Sequence, residues 1–220
     1  MGFGWMLLGW LFMFPTIGNV DIMPDFIGFL IMLKGLSCAC KHCRCFDLTR
    51  RLAMFGVLFS LVSWAYQMFC WLDIISASAV GTVMRVAYAV FLCAYAINLA
   101  ISISKIATET ELPKIRVRGA AAVPLAIIML LCGRLAWSGA VSVISSAEKG
   151  ATISETVKWG MRIGYIAEVL FVVYMLLLLL SCYRWICLEG EEDMPDKAHK
   201  LPTPIEIIEK KKNKDKVEKK

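Results

Sequence analysis

The sequence predicts an all-α, polytopic transmembrane bundle: four long helices preceded by a pair of short ones. Three observations predict it. First, the chain of 220 residues is 59% hydrophobic with a mean hydropathy of +0.66. A soluble domain of this length needs far more polar surface to stay in water. Second, four apolar stretches each reach the length of about 20 residues that a helix needs to cross a bilayer. Third, the segments between them alternate in charge in the way that membrane topology demands.

The long stretches run from Ala53 to Ile75, Val80 to Ser104, Ala120 to Ile144 and Gly160 to Ile186. Residues 37–52 carry Lys41, Arg44, Arg50 and Arg51, and residues 105–118 carry Lys105, Lys114, Arg116 and Arg118. Residues 76–79 have no charge, and residues 145–159 balance Glu148 and Glu155 against Lys149 and Lys158. Basic segments stay on the cytoplasmic side. Both basic segments and the C-terminal tail are therefore expected inside, in a cell membrane. The formal charge of +6 is explained by this topology and a terminal lysine run, so no nucleic-acid partner is implied.

The expected organisation is a broken helical hairpin at 1–36, a basic Cys-rich cytoplasmic loop at 37–52, the four-helix bundle at 53–187 and a charged, disordered tail at 188–220. The opening run MGFGWMLLGWLFMFP has no basic residue before its apolar core and no small-residue cleavage site after it, so it is expected to remain in place. Phe3 to Phe14 and Ile22 to Leu36 are each shorter than a full crossing. Between them, Pro15, Gly18, Asn19 and Pro24 break the helix. Two arrangements fit: two tilted crossings, or a re-entrant pair of half-helices sheltered by the bundle. In either, Asp21 is expected to cap the second short helix, with Pro24 in its first turn. Asp25 then lies near the positive end of that helix, where it can meet Arg85 or Arg134.

The stretch Asp21-Ile22-Met23-Pro24-Asp25-Phe26-Ile27-Gly28-Phe29, followed by Gly35-Leu36, resembles the N-terminal signature of an uncharacterised family of small multi-pass membrane proteins of Firmicutes. Its members read roughly D-I-L-P-D-F-I-G-Y. The resemblance covers about 17 residues and implies a bacterial membrane protein. It implies no activity and no catalytic residue.

Ionisable groups inside the spans are costly and so informative. Arg85 lies in the second span, Arg134 in the third and Glu168 in the fourth, with Asp73 at the end of the first. If the N-terminal hairpin crosses fully, Asp21 and Asp25 are expected to share one half of the membrane with them. The second span also has a polar stripe: Arg85, Tyr88, Tyr95, Asn98, Ser102 and Lys105 recur at spacings of three, four and seven, which is one helical face. In the third span Ser138, Ser142 and Ser145 share the face of Arg134. Such faces line a wet cavity or glue helices together.

Cys38, Cys40, Cys43 and Cys45 cluster around His42. A reducing cytoplasm keeps them as thiols without disulfides. Thiolates so spaced are also candidate ligands for Zn or Cu(I), although only Cys40 and Cys43 form a C-x-x-C pair; no other cofactor is expected. The sequence contains no phosphate loop, G-x-S-x-G or H-E-x-x-H motif, so the reading leans away from an enzyme. It favours a membrane-embedded accessory or interaction protein, in contact with the bilayer and with other membrane proteins or copies of itself. A small-solute or ion transporter or channel built on the Arg and acid cluster is the alternative.

Overall fold

The computed structural model of the protein describes residues 2–13, 16–17, 20–21, 25–71, 79–135 and 155–186. The all-α class is the observed one, apart from a minimal strand pair. Asp73, Ser138, Ser142, Ser145 and the tail at 188–220 lie outside the described residues.

Helix α1, Phe3–Phe12, consists of large apolar side chains and two glycines. Phe3, Met6 and Trp10 recur at spacings of three and four, and all are buried. Strands β1, Thr16–Ile17, and β2, Val20–Asp21, pair antiparallel, Thr16 with Asp21 and Ile17 with Val20. Helix α2, Asp25–His42, buries Gly28, Phe29, Met32, Gly35, Leu36 and Ala39, again a single face at helical spacing. An acid in its first turn and Lys41 and His42 in its last complement the helix dipole.

This start corrects one expectation. Asp21 belongs to β2 and stands four positions before the first helical residue, so it is not the cap of α2. Asp25 instead supplies the acid of the first turn. The second correction concerns the segment at 37–52, which is mostly helical. Only extended Cys43 and a 3₁₀ turn at Arg44–Phe46 separate α2 from α3, Asp47–Trp71. Phe46 is buried there, edge-on to Phe3 at 6.1 Å.

Helix α4, Ala79–Glu109, joins α5, Pro113–Leu125, through residues 110–112. Glu111 takes a left-handed φ of 55°, and Pro113 opens α5 where its missing N–H does no harm. The basic segment at 105–118 is thus a tight turn between two helix ends rather than an open loop. α5 continues through a π turn at Ala126–Leu131 and on to Leu135, so the whole of α5 is Pro113–Leu135. Helix α6 is Glu155–Ile186.

Among the described residues, each helix packs on its neighbours in sequence, and α6 returns to contact α1, which closes a ring of six. The interior is aromatic. Phe29 meets Tyr95 at 5.2 Å and Phe91 at 6.0 Å, and Phe59 meets Tyr88 at 5.6 Å. Gly56 makes the notch that receives the Phe29 ring, since a Cβ there would lie 2.6 Å from it.

Among the described residues, four helices are long and apolar enough to cross a membrane: Arg44–Phe69, Val80–Glu109, Pro113–Leu135 and Lys158–Ile186. Their outward faces show Phe55, Leu58, Ile128, Ile166 and Leu170. Bare apolar surface on that scale is stable only against lipid. The chain is an integral membrane protein that contacts the bilayer. α1, with 10 residues, spans about 15 Å, half of a hydrocarbon core of about 30 Å.

Glycines set the approach of α1 to α2. Gly2 and Gly9 stand seven apart, as do Gly28 and Gly35, and the antiparallel packing matches Gly9 with Gly28 and Gly2 with Gly35. A Cβ on Gly9 would lie 2.7 Å from the Gly28 carbonyl oxygen, and one on Gly28 would lie 2.9 Å from that of Gly9. Both distances are below any real contact, so the backbones touch only because these positions have no side chain.

Candidate functional site

The α4 face that carries tyrosines and serines points into the ring. Tyr88, Tyr95 and Ser102, spaced seven apart, are all buried. Tyr88 donates its hydroxyl proton to Oδ2 of Asp25 on α2. Asp25 is only 7% exposed, and its carboxylate sits at the positive end of its own helix.

Arg134 reaches the same place from α5 because of two local irregularities. Pro124 has no N–H to give to the preceding turn. The π turn follows at once, and the N–H of Cys132 bonds back five residues to the Ile127 carbonyl. One extra residue in a turn rotates everything after it by about 100°. Gly133 then lets α5 approach α6 closely, since a Cβ there would lie 2.8 Å from the Gly164 carbonyl oxygen. Glu168 is one turn beyond Gly164 on α6. Its Oε1 accepts from Arg134 Nε at 2.7 Å, with the two side chains 17% and 20% exposed.

Tyr88 joins the two pairs. Its hydroxyl holds Asp25, while the Arg134 guanidinium lies over its ring with Cζ 5.5 Å from the centroid. The charge of Asp25 also acts on Arg134, alongside the stronger effect of Glu168. Four helices, α2, α4, α5 and α6, thus meet at one cluster of Asp25, Tyr88, Arg134 and Glu168. The cluster is about 21 Å along α4 from Ser102 and about 24 Å along α5 from Arg118. Both helices therefore place it far from the basic end of the bundle.

The other sequence candidates fall elsewhere. Arg85 is one turn from Tyr88 on α4, and its Nε is buried with no hydrogen-bond partner among the described residues. The Tyr95 hydroxyl is likewise buried without one, although its ring packs on Phe29. Asn98 donates to Ala94 O of its own helix at 2.8 Å. Ser102 Oγ is 2.9 Å from Cys45 O and 3.1 Å from Thr49 Oγ, which ties the 3₁₀ turn and α3 to α4. The side chain of Asp21 and all of Asp73 lie outside the described residues.

The cysteine cluster departs from the expected set of free thiols. Cys43 and Cys45 are joined as a disulfide, with Cα atoms 5.3 Å apart; extended Cys43 followed by the 3₁₀ turn brings them together. Cys38 and Cys40 remain as free thiols. Burial, followed by the neighbouring Asp47, raises the Cys40 thiol above its ordinary pKa, which disfavours the thiolate a metal needs. Among the described residues, no group of three or more His, Cys, Asp or Glu side chains is arranged to hold a metal. With Cys43 and Cys45 joined, Cys38 and Cys40 are the thiols of the cluster that stay free.

Sequence reasoning singled out Asp25, Arg134 and Glu168 but missed the role of Tyr88 as their link. It also missed the π turn and the glycine contacts that aim the helices. The signals were present: Pro124 inside an apolar span, Gly133 beside Arg134, and two glycine pairs seven apart. Compared with known families, curated proteins and solved structures, the chain shows no significant match.

Proposed function

We propose that the protein is a membrane-embedded accessory or interaction protein, a helical scaffold whose polar cluster fastens the N-terminal hairpin into the bundle. One observation carries this reading: the polar groups of the cluster are engaged with one another, Arg134 with Glu168 and Asp25 with Tyr88. Groups paired across four helices specify which helices meet. The large exposed apolar faces leave room for other membrane proteins or a second copy of the chain. A flux assay on the purified protein in proteoliposomes tests this, with ions and small solutes at both signs of charge. Fluxes equal to those of empty vesicles are expected. Robust flux that Arg134→Ala abolishes would overturn the scaffold reading.

The transport reading has one observation in its favour. Arg85 Nε and the Tyr95 hydroxyl, both on α4, are buried with no hydrogen-bond partner among the described residues, as groups awaiting a solute would be.

The basic segments and the tail are assigned to the cytoplasm, in a bacterial cell membrane, against the Cys43–Cys45 disulfide, which a reducing compartment disfavours. The support is the charge alternation between spans and the DIMPDFIGF resemblance to small membrane proteins of Firmicutes. Reporter fusions after Arg51, Arg118 and Lys220 are expected to read inside in every case. One fusion reading outside would break this topology.

A further inference from the structure

A cavity of about 360 Å³ opens at the basic end of the bundle, between the start of α3 and the last turns of α4. Arg44, Arg51 and Lys105 line it, opposed by one carboxylate, Asp47, with Asn98 and Ser102 as neutral polar groups. The three cations come from three different elements: the 3₁₀ turn, α3 and α4. With all four groups ionised, the lining carries two net positive charges. The floor is fixed, because Ser102 is within hydrogen-bond reach of Cys45 O and Thr49 Oγ.

We propose that this cavity binds the phosphate headgroup of an anionic phospholipid. Its depth in the membrane fits. Arg44 begins one span, and Lys105 is four residues from the end of the next, so the cavity sits where hydrocarbon gives way to headgroups. Its lining also includes Leu48 and Ile101, 56% and 41% exposed. These give acyl chains an apolar surface directly beside the cations. A site for a soluble anion has no use for such a rim. Basic pockets between transmembrane helices recognise anionic headgroups by this combination of cations with a lipid-facing wall. The site is separate from the Asp25–Tyr88–Arg134–Glu168 cluster and does not rest on the scaffold reading.

Native mass spectrometry of the full chain in a non-ionic detergent provides the test, with phosphatidylglycerol and phosphatidylcholine titrated in parallel. One bound phosphatidylglycerol is expected, held at least about tenfold more tightly than phosphatidylcholine. Arg51→Gln and Lys105→Gln are each expected to weaken it by about tenfold. Arg44, Arg51 and Lys105 are all exposed, so these changes leave the core untouched. Arg116→Gln, which removes an exposed cation of α5 outside the cavity lining, is expected to leave binding unchanged. Equal affinity for phosphatidylcholine would overturn the proposal, as would an equal loss in Arg116→Gln. Displacement of the lipid by millimolar inorganic phosphate would identify a free-anion site and also overturn the lipid assignment.

Discussion

Glu168→Ala is expected to destabilise the protein by about 3–5 kcal/mol, because it removes the carboxylate that is ion-paired with Arg134 inside the bundle. The pair is short, 2.7 Å, and both side chains are largely enclosed. Lipid offers the arginine no water in exchange, and an ionisable group at membrane depth costs several kcal/mol on its own. A second pair on α6 makes the comparison. Lys158 and Glu155 also meet, at 2.8 Å, but they are 46% and 76% exposed. Glu155→Ala is therefore expected to cost at most about 1 kcal/mol. Denaturant unfolding in detergent measures both. The double variant Arg134→Met with Glu168→Leu is expected to recover part of the loss, since it removes the pair and keeps the volume but leaves Asp25 without the cation its charge faces. If Glu168→Ala cost no more than Glu155→Ala, Arg134 would have to reach water, and the cluster would not be a buried one.

Gly9→Leu is expected to disrupt the N-terminal hairpin. A Cβ alone would sit 2.7 Å from the Gly28 carbonyl oxygen and 2.6 Å from Met32. The side chain of Met32 can move, but the backbone of α2 cannot move without opening the hairpin. Overpacking of this kind typically costs about 1–3 kcal/mol, and the rigid backbone partner puts Gly9→Leu at the upper end of that range. Gly160 provides the opposite case: a Cβ there meets nothing within 4 Å. Gly160→Ala should be neutral or stabilising by up to about 1 kcal/mol, since alanine is the better helix former. The same unfolding experiment checks both, and equal stability of the two variants would show that α1 and α2 do not depend on their close approach.

The fold class was readable from sequence because it depends on hydrophobic length and charge placement, both of which are local. The stripe on α4 was readable for a related reason. A spacing of seven puts Tyr88, Tyr95 and Ser102 on one face whatever surrounds them, and that face is buried. What periodicity does not carry is the identity of the neighbour. Asp25 was expected to meet an arginine; it hydrogen-bonds Tyr88 in the cluster where its charge acts on Arg134, and Arg134 is also ion-paired with Glu168. Those choices depend on how closely helices approach, which glycines such as Gly133 and Gly164 decide, and on register, which the π turn resets. The Asp21 cap failed for a simpler reason. A two-residue strand pair competes for the same backbone, and pairing at Thr16 and Ile17 draws Asp21 away from the helix start.

The π turn at Ala126–Leu131 makes residue count as important as residue identity in this part of the chain. Each residue added to or removed from an α-helix changes the bearing of all that follows by about 100°. A one-residue deletion within 126–131 would restore a regular α-helix and keep every named member of the cluster. It would also swing Arg134 away from Glu168 and turn Gly133 off Gly164. Substitutions among the lipid-facing residues here, such as Ile127 and Ile128, change neither bearing. This stretch therefore tolerates spelling changes but not changes of length, the reverse of what holds for an ordinary surface loop.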